Sequence, residues 1–383
     1  MVRFLLTWGI FLLTLASFGE NLLAQSVSGT GACELCTKIP DYETIFDSAA
    51  NRPLPEGVTE EKLLEAFCTS WQFIDKKLVT VVEFQKKPQS EETAKEIEKL
   101  EMEIHTLFHQ MMNWLGPVWH LAPQKNEVKS FMFFLLVREL EGDQYEAAYV
   151  LARELMTQKA YEEIPVLYEM AGISAFMMSK FDVARHCFSE AQKRNALHGT
   201  ASVYLDLIPY YTQAWKTEQA LRVQETRKGT TPRVLITTTR GEVEIELFED
   251  SAPQTVQTFL KLVKEGFYDG DSFSTVLSGL LARTNRIAPG IEIPDEFTLP
   301  SARKHFRGSV VLTHGAGKDS GHSQFFIMLT PAPQLDGKFT VFGRVTRGIE
   351  VVSALNRVDA RHPEKNLPGM KPDQIIRIKI LNP

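Results

Sequence analysis

Several things are scarce in this sequence, and each scarcity narrows what the chain can be. Cysteine occurs four times in 383 residues, at Cys33, Cys36, Cys68 and Cys187, which fits an oxidising compartment but is too little to establish one. There is no surplus of positive charge: 42 Lys and Arg stand against 48 Asp and Glu, a net charge of -6. That balance, with no basic run interleaved with aromatics, argues against a nucleic-acid surface. No apolar run reaches the roughly 20 residues needed to span a bilayer. Neither an H-E-x-x-H zinc motif nor a nucleophile-elbow serine is present.

The N-terminus reads as a targeting segment. Arg3 precedes an apolar run from Phe4 to Phe18, and Leu22-Leu23-Ala24 offers a cleavage site. Residues 1–25 are therefore expected to be a signal peptide and the protein exported, to a periplasm, the outside or a secretory-pathway lumen. An uncleaved membrane anchor is the alternative. A lipoprotein site at Cys33 fits poorly, because Thr30-Gly31-Ala32 lacks the usual leucine and lies far from the apolar run. Residues 26–58 read as irregular. Within them Cys33 and Cys36 form a C-x-x-C without the strand-helix context of a redox site; a structural disulfide is the first reading, with a redox pair, half a metal site or free thiols left open.

From 59 to 226 glycine is rare and Leu, Phe, Met and Ala recur at helical spacing, so this segment is expected to be all helical. His105 and His109 lie four apart on one helical face, a spacing that can hold zinc, but a simple histidine pair explains it and no metal site is expected. Trp114, Trp119 and His120 surround Gly116-Pro117, which reads either as an adhesive loop or as a helix-ending turn. Cys187, beside Phe188, reads as a small core residue. A short polar stretch, 227–232, marks a linker before a different pattern begins.

In residues 233–383 the hydrophobic period changes to two. Val234, Ile236, Val243, Ile245 and Leu247 alternate with polar residues around Thr239-Arg240-Gly241, as in a half-buried hairpin. Ser251-Ala252-Pro253 then opens a helix carrying Val256, Phe259, Leu260 and Val263, which Gly266 ends. Short strands follow at 308–313, 324–329, 339–345 and 375–380. The expected fold is a multidomain one: an N-terminal all-α domain followed by a closed antiparallel β-barrel with two helices.

Three blocks of this second region occur together: RGEVEIELFEDSAPQTVQTFLKLVKEGFYDG at Arg240 to Gly270, SQFFI at Ser323 to Ile327 and QLDGKFTVFGRV at Gln334 to Val345. In order, spacing and composition they resemble the cyclophilin-type peptidyl-prolyl isomerases. The resemblance implies rotation of X-Pro peptide bonds, which uncatalysed cross a barrier of about 18–20 kcal/mol. An arginine aimed at the proline nitrogen and an apolar pocket for the ring suffice, so no cofactor is implied.

The family pattern is met in part. Gln324, Phe326 and Leu335 match its site, with scaffold glycines Gly279, Gly337 and Gly343. Thr275 stands in the place of the catalytic arginine, Leu280 and Leu281 in those of the pocket phenylalanine and methionine, and Arg283 in that of a glutamine. His314 and Gly315 replace the backbone-docking alanine-asparagine pair, Gln334 a tryptophan and Phe339 a histidine. A short hydroxyl cannot do the work of a guanidinium, so weak activity is expected unless Arg283 supplies the donor from the neighbouring strand. The alternative is a non-catalytic proline-peptide binder or assembly scaffold. Client proteins or proline-containing peptides are the implied partners; a membrane is one only if the signal is retained.

The helical segment carries a second, weaker resemblance. AGISAFMMSKFDVARHCFSEA, Ala171 to Ala191, has small residues at Gly172, Ala175, Ala184 and Ala191 and large ones at Phe181 and Phe188, as in a tetratricopeptide repeat. Tyr145 and Ala148 lie 36 positions before Phe181 and Ala184, near that repeat's period of about 34. A helical domain of this kind implies a protein partner; an ordinary helical bundle is the alternative.

Overall fold

The computed structural model describes residues 40–47, 58–85, 91–158, 164–229, 231–366 and 370–382. The proposed signal peptide, Cys33 and Cys36 lie outside them. The described residues fall into two compact units. One holds residues up to Glu141 together with Glu146–Leu167; the other holds Gly142–Tyr145 together with residues from Tyr168 onward.

The first unit is helical. It contains α1 (Tyr42–Asp47), α2 (Glu60–Gln85), α3 (Glu91–Leu121), α4 (Asn126–Glu141) and most of α5 (Tyr145–Met156). Leu63, Phe67, Trp71, Ile74, Leu78 and Val81 on α2, and Leu100, Ile104, Phe108, Met111, Leu115 and Val118 on α3, recur three or four residues apart and are all buried. Each set forms one apolar stripe, and that burial rather than intrinsic propensity holds such long helices. Phe131 of α4 lies edge-on to both Phe67 and Trp71. Gly116-Pro117 neither ends the helix nor forms a loop: α3 continues through Pro117 to Leu121. Trp119 is buried and its indole donates to Glu154 at 2.8 Å. His105 and His109 meet with their Nε2 atoms 3.1 Å apart, and burial lowers both pKa values. Among the described residues no helix is long and apolar enough to cross a membrane.

The second unit takes in most of α6 (Pro165–Met177), then α7 (Phe181–Lys193) and α8 (Gly199–Lys228), before the sheet. A Cβ on Gly172 would lie 2.4 Å from the Phe188 ring, so α6 and α7 approach closely only because this position has no side chain. Cys187 is buried on α7, and burial, aided by Glu190, pushes its thiol up to about 11. Helix α8 runs through the expected boundary at 226 and stops at Lys228, where Gly229 adopts a left-handed cap with φ 66°. The start of the expected linker is thus the last turn of a helix.

Eight antiparallel strands follow: β1 (Arg233–Thr238), β2 (Gly241–Leu247), β3 (Phe273–Leu277), β4 (Leu281–Thr284), β5 (Ser309–His314), β6 (Gly321–Met328), β7 (Val341–Arg347) and β8 (Ile375–Asn382). Their order is β3-β4-β6-β5-β7-β2-β1-β8. The expected closed barrel is instead a curled sheet. Its edge strands β3 and β8 are joined among the described residues by an isolated Ser272–Gln374 bridge, flanked by backbone bonds such as Phe273 N–H to Asp373 O, and not by a ladder. Among the described residues two α-helices accompany the sheet, α9 (Pro253–Lys264) and the short α10 (Ile349–Ser353). Helix α9 packs Val256, Phe259, Leu262 and Val263 against the core, with Leu260 only partly buried. Its first turn is capped from a distance: Glu296 accepts the N–H groups of Gln254 at 2.8 Å and Thr255 at 3.0 Å.

Candidate active site

Alternation along the strands gives the sheet two apolar faces. Val310, Leu312, Phe325, Ile327 and Phe342 point into the main core. The intervening Val311, Phe326, Met328 and Val341 form a separate cluster on the other face with Phe248 and Ala332. Packed against that second cluster, and only partly buried, are Leu280, Leu281, Leu335 and Phe339. Five of the residues expected at the site, Phe326 among them, thus converge on one patch. Phe326 and Phe339 meet edge-on at 5.8 Å. Partial burial leaves apolar surface on which a further ring can rest.

The polar edge of the patch is built by β4. Thr275 pairs with Arg283 across β3 and β4, and Arg283 pairs in turn with Phe326 on β6. This register puts the guanidinium beside the threonine: Arg283 Nη2 donates to Thr275 Oγ1 at 3.1 Å. Thr275 is buried at 1% exposure, so its hydroxyl serves as an acceptor for that arm. Arg283 Nε is buried and meets no acceptor among the described residues. Burial, reinforced by Arg361 and opposed by Asp359, lowers the pKa of Arg283, which an arginine tolerates while staying charged.

Gln324 donates its amide to the carbonyls of Thr284 at 3.2 Å and Asn285 at 2.6 Å, which fixes the side chain. His322, missed in the sequence, contacts Thr313 Oγ1 at 3.1 Å through Nδ1; burial, with His314 and Arg283, lowers its pKa. His314 lies on the Phe339 ring with centroids 4.5 Å apart, and its Nε2 is 2.8 Å from Lys338 O. Gly315 is exposed, but its N–H already donates to Ser320 O at 3.1 Å. Gln334 is exposed on the 3-10 turn Pro333–Leu335. Among the described residues no group of three or more His, Cys, Asp or Glu is placed to hold a metal ion.

The comparisons identify the family of the sheet-forming region. The family model described as "Cyclophilin type peptidyl-prolyl cis-trans isomerase/CLD" matches residues 233–380. A peptidyl-prolyl cis-trans isomerase of Helicobacter pylori is 38% identical over 145 residues, covering 36% of this chain and 88% of that protein. Peptidyl-prolyl cis-trans isomerase B of Bacillus subtilis is 41% identical over 125 residues, covering 31% and 86%. The crystal structure of a Cryptosporidium parvum cyclophilin type peptidyl-prolyl cis-trans isomerase covers 40% of this chain and 99% of its own, at 24% identity and a TM-score of 0.35. The chain belongs to the cyclophilin-type peptidyl-prolyl cis-trans isomerase family, a family of isomerases, through its C-terminal region.

Proposed function

We propose that this protein is an exported isomerase of X-Pro peptide bonds in client proteins, with Arg283 taking the part of the missing family arginine. The contact of Arg283 Nη2 with Thr275 Oγ1 carries the reading, because it brings a guanidinium within hydrogen-bond reach of the residue that, by the resemblance, stands in the place of the family arginine. In the reaction the proline ring rests on Phe326, Leu335, Leu280 and Phe339. As the bond twists out of plane, the amide loses resonance and the nitrogen lone pair localises. A donor aimed at that nitrogen stabilises the twisted state more than the planar one, which is what accelerates rotation.

The rate is expected to be below that of a relative with arginine at position 275. One arm of Arg283 is engaged by Thr275, and Leu280 and Gln334 reshape the pocket. A protease-coupled proline isomerisation assay tests this: wild type is active and Arg283→Ala loses most of the activity. If wild type binds a proline peptide but shows no acceleration, the chain acts as a proline-peptide binder or assembly scaffold. Export rests on the sequence of residues 1–25. A protein partner at the helices is supported by the close α6–α7 pairing around Gly172, as in tetratricopeptide-like hairpins.

A further inference from the structure

We propose that Asp143 and Tyr210, both outside the family region, are positioning residues for the proline-binding patch; this rests on the isomerase reading above. The patch has two loop-borne walls. Leu280 sits at the β3–β4 turn, just before Leu281 opens β4, and Leu335 and Phe339 lie on the loop before β7. Each wall is only partly buried, so packing alone does not fix it. One carboxylate ties down each loop.

At the β3–β4 turn, Asp143 Oδ1 accepts the N–H of Gly279 at 2.9 Å, where the backbone takes a left-handed φ of 65°. Its Oδ2 accepts from Arg357 Nη2 at 2.8 Å, and Arg357 Nε donates to Ser278 Oγ at 2.8 Å. The pair therefore holds the two residues immediately before Leu280. Asp143 is itself held: it is 2% exposed, its carbonyl accepts from Arg307 at 2.8 Å and Ser353 at 2.9 Å, and Tyr145 donates to Oδ1 at 2.9 Å.

At the second loop the fixing group is Asp336, one residue past Leu335. Its Oδ1 accepts the backbone N–H of His305 at 3.0 Å and lies 2.7 Å from His305 Nδ1. The other oxygen accepts the hydroxyl of Tyr210 on α8. Each of the two outlying residues thus sits one hydrogen bond away from a wall of the patch. Catalysis is sensitive to such placement, since a shift of about 1 Å can change a rate by roughly 10²-fold.

The test uses the full-length chain, an Ala-Ala-Pro-Phe peptide, isomerisation kinetics, thermal unfolding and amide hydrogen exchange. Tyr210 is 40% exposed, so Tyr210→Phe removes a hydroxyl without opening the core. It is expected to raise KM about fivefold, the equivalent of one net hydrogen bond, while kcat and the unfolding temperature change little. Amide exchange at Leu335–Phe339 should quicken. Asp143→Asn keeps an oxygen for Gly279 and retains most of the affinity; Asp143→Ala does not. If wild type turns over peptide and Tyr210→Phe leaves KM and exchange unchanged, the positioning role is wrong. A wild type that neither binds nor isomerises the peptide overturns the isomerase reading and this proposal with it.

Discussion

The Arg283 guanidinium donates to the Thr275 hydroxyl across the β3–β4 pair at 3.1 Å. Arg283→Ala is therefore expected to lower kcat/KM by about 10²-fold, the usual loss for one preorganised donor. Thr275→Val, which keeps the shape but not the acceptor, should lower it by less. Thr275→Arg alone adds a second guanidinium beside the first and is expected to destabilise the site. Pairing it with Arg283→Gln removes that repulsion, and the double variant should exceed wild type in a protease-coupled assay. Equal activity of wild type and Arg283→Ala would refute the assignment.

The apolar wall separates stability from binding. Phe326 is 3% exposed within the outer cluster, so Phe326→Ala opens a cavity and should cost about 3–5 kcal/mol in urea unfolding. Leu335 is half-buried on the rim, so Leu335→Ala should cost less than about 1.5 kcal/mol. Its effect falls instead on KM for a proline peptide. A large stability loss at Leu335 with unchanged KM would mean that the patch is ordinary core.

Much of the sheet was legible because burial on one face writes a period of two into the sequence: Val234, Ile236, Val243, Ile245 and Leu247 are all buried. The pairing of Thr275 with Arg283 follows from a five-residue and a four-residue strand on either side of a tight turn, which is local. Asp143, Tyr210 and His305 were not legible. Their partners Gly279 and Asp336 lie 136, 126 and 31 residues away, and a single hydrogen bond over such a distance leaves no periodic trace. The same holds for Glu296, which caps α9 from beyond β4. Barrel closure was overestimated because strand count is written in the sequence, whereas the meeting of β3 and β8 depends on sheet curvature.

Acid should loosen the patch, and the window follows from Asp336. Burial raises its pKa, but hydrogen bonds from His305 and Tyr210 outweigh that, and the net shift is downward. A carboxylate with a depressed folded pKa contributes stability that is present above its unfolded value, about 3.9, and is lost as pH falls through the lower folded value. Peptide affinity is therefore expected to show no loss traceable to Asp336 between pH 8 and about 5, and to fall below about 4. Asp336→Asn should remove this acid-dependent part. A loss already complete at pH 6 would assign the effect to another group.

The unit that folds is expected to begin before the family region. Arg303, buried at 6% exposure, donates to Glu218 of α8 at 2.8 Å and also pairs with Glu225. Arg344 lies 3.4 Å from Glu218 and 3.1 Å from Glu225, and pairs with Glu246 on β2. Tyr211 and Trp215 cover Phe306, with ring centroids at 5.8 and 5.0 Å. A fragment of residues 231–383 loses both acidic partners and this cover together. Once α8 is gone the arginines regain water, so the loss falls short of the 3–5 kcal/mol of a broken buried pair, and the exposed apolar face adds to it. The fragment should thus be less stable than residues 168–383 by at least about 2 kcal/mol. Urea titrations of the two fragments decide the matter; coincident midpoints and equal slopes would show that α8 only rests on the sheet.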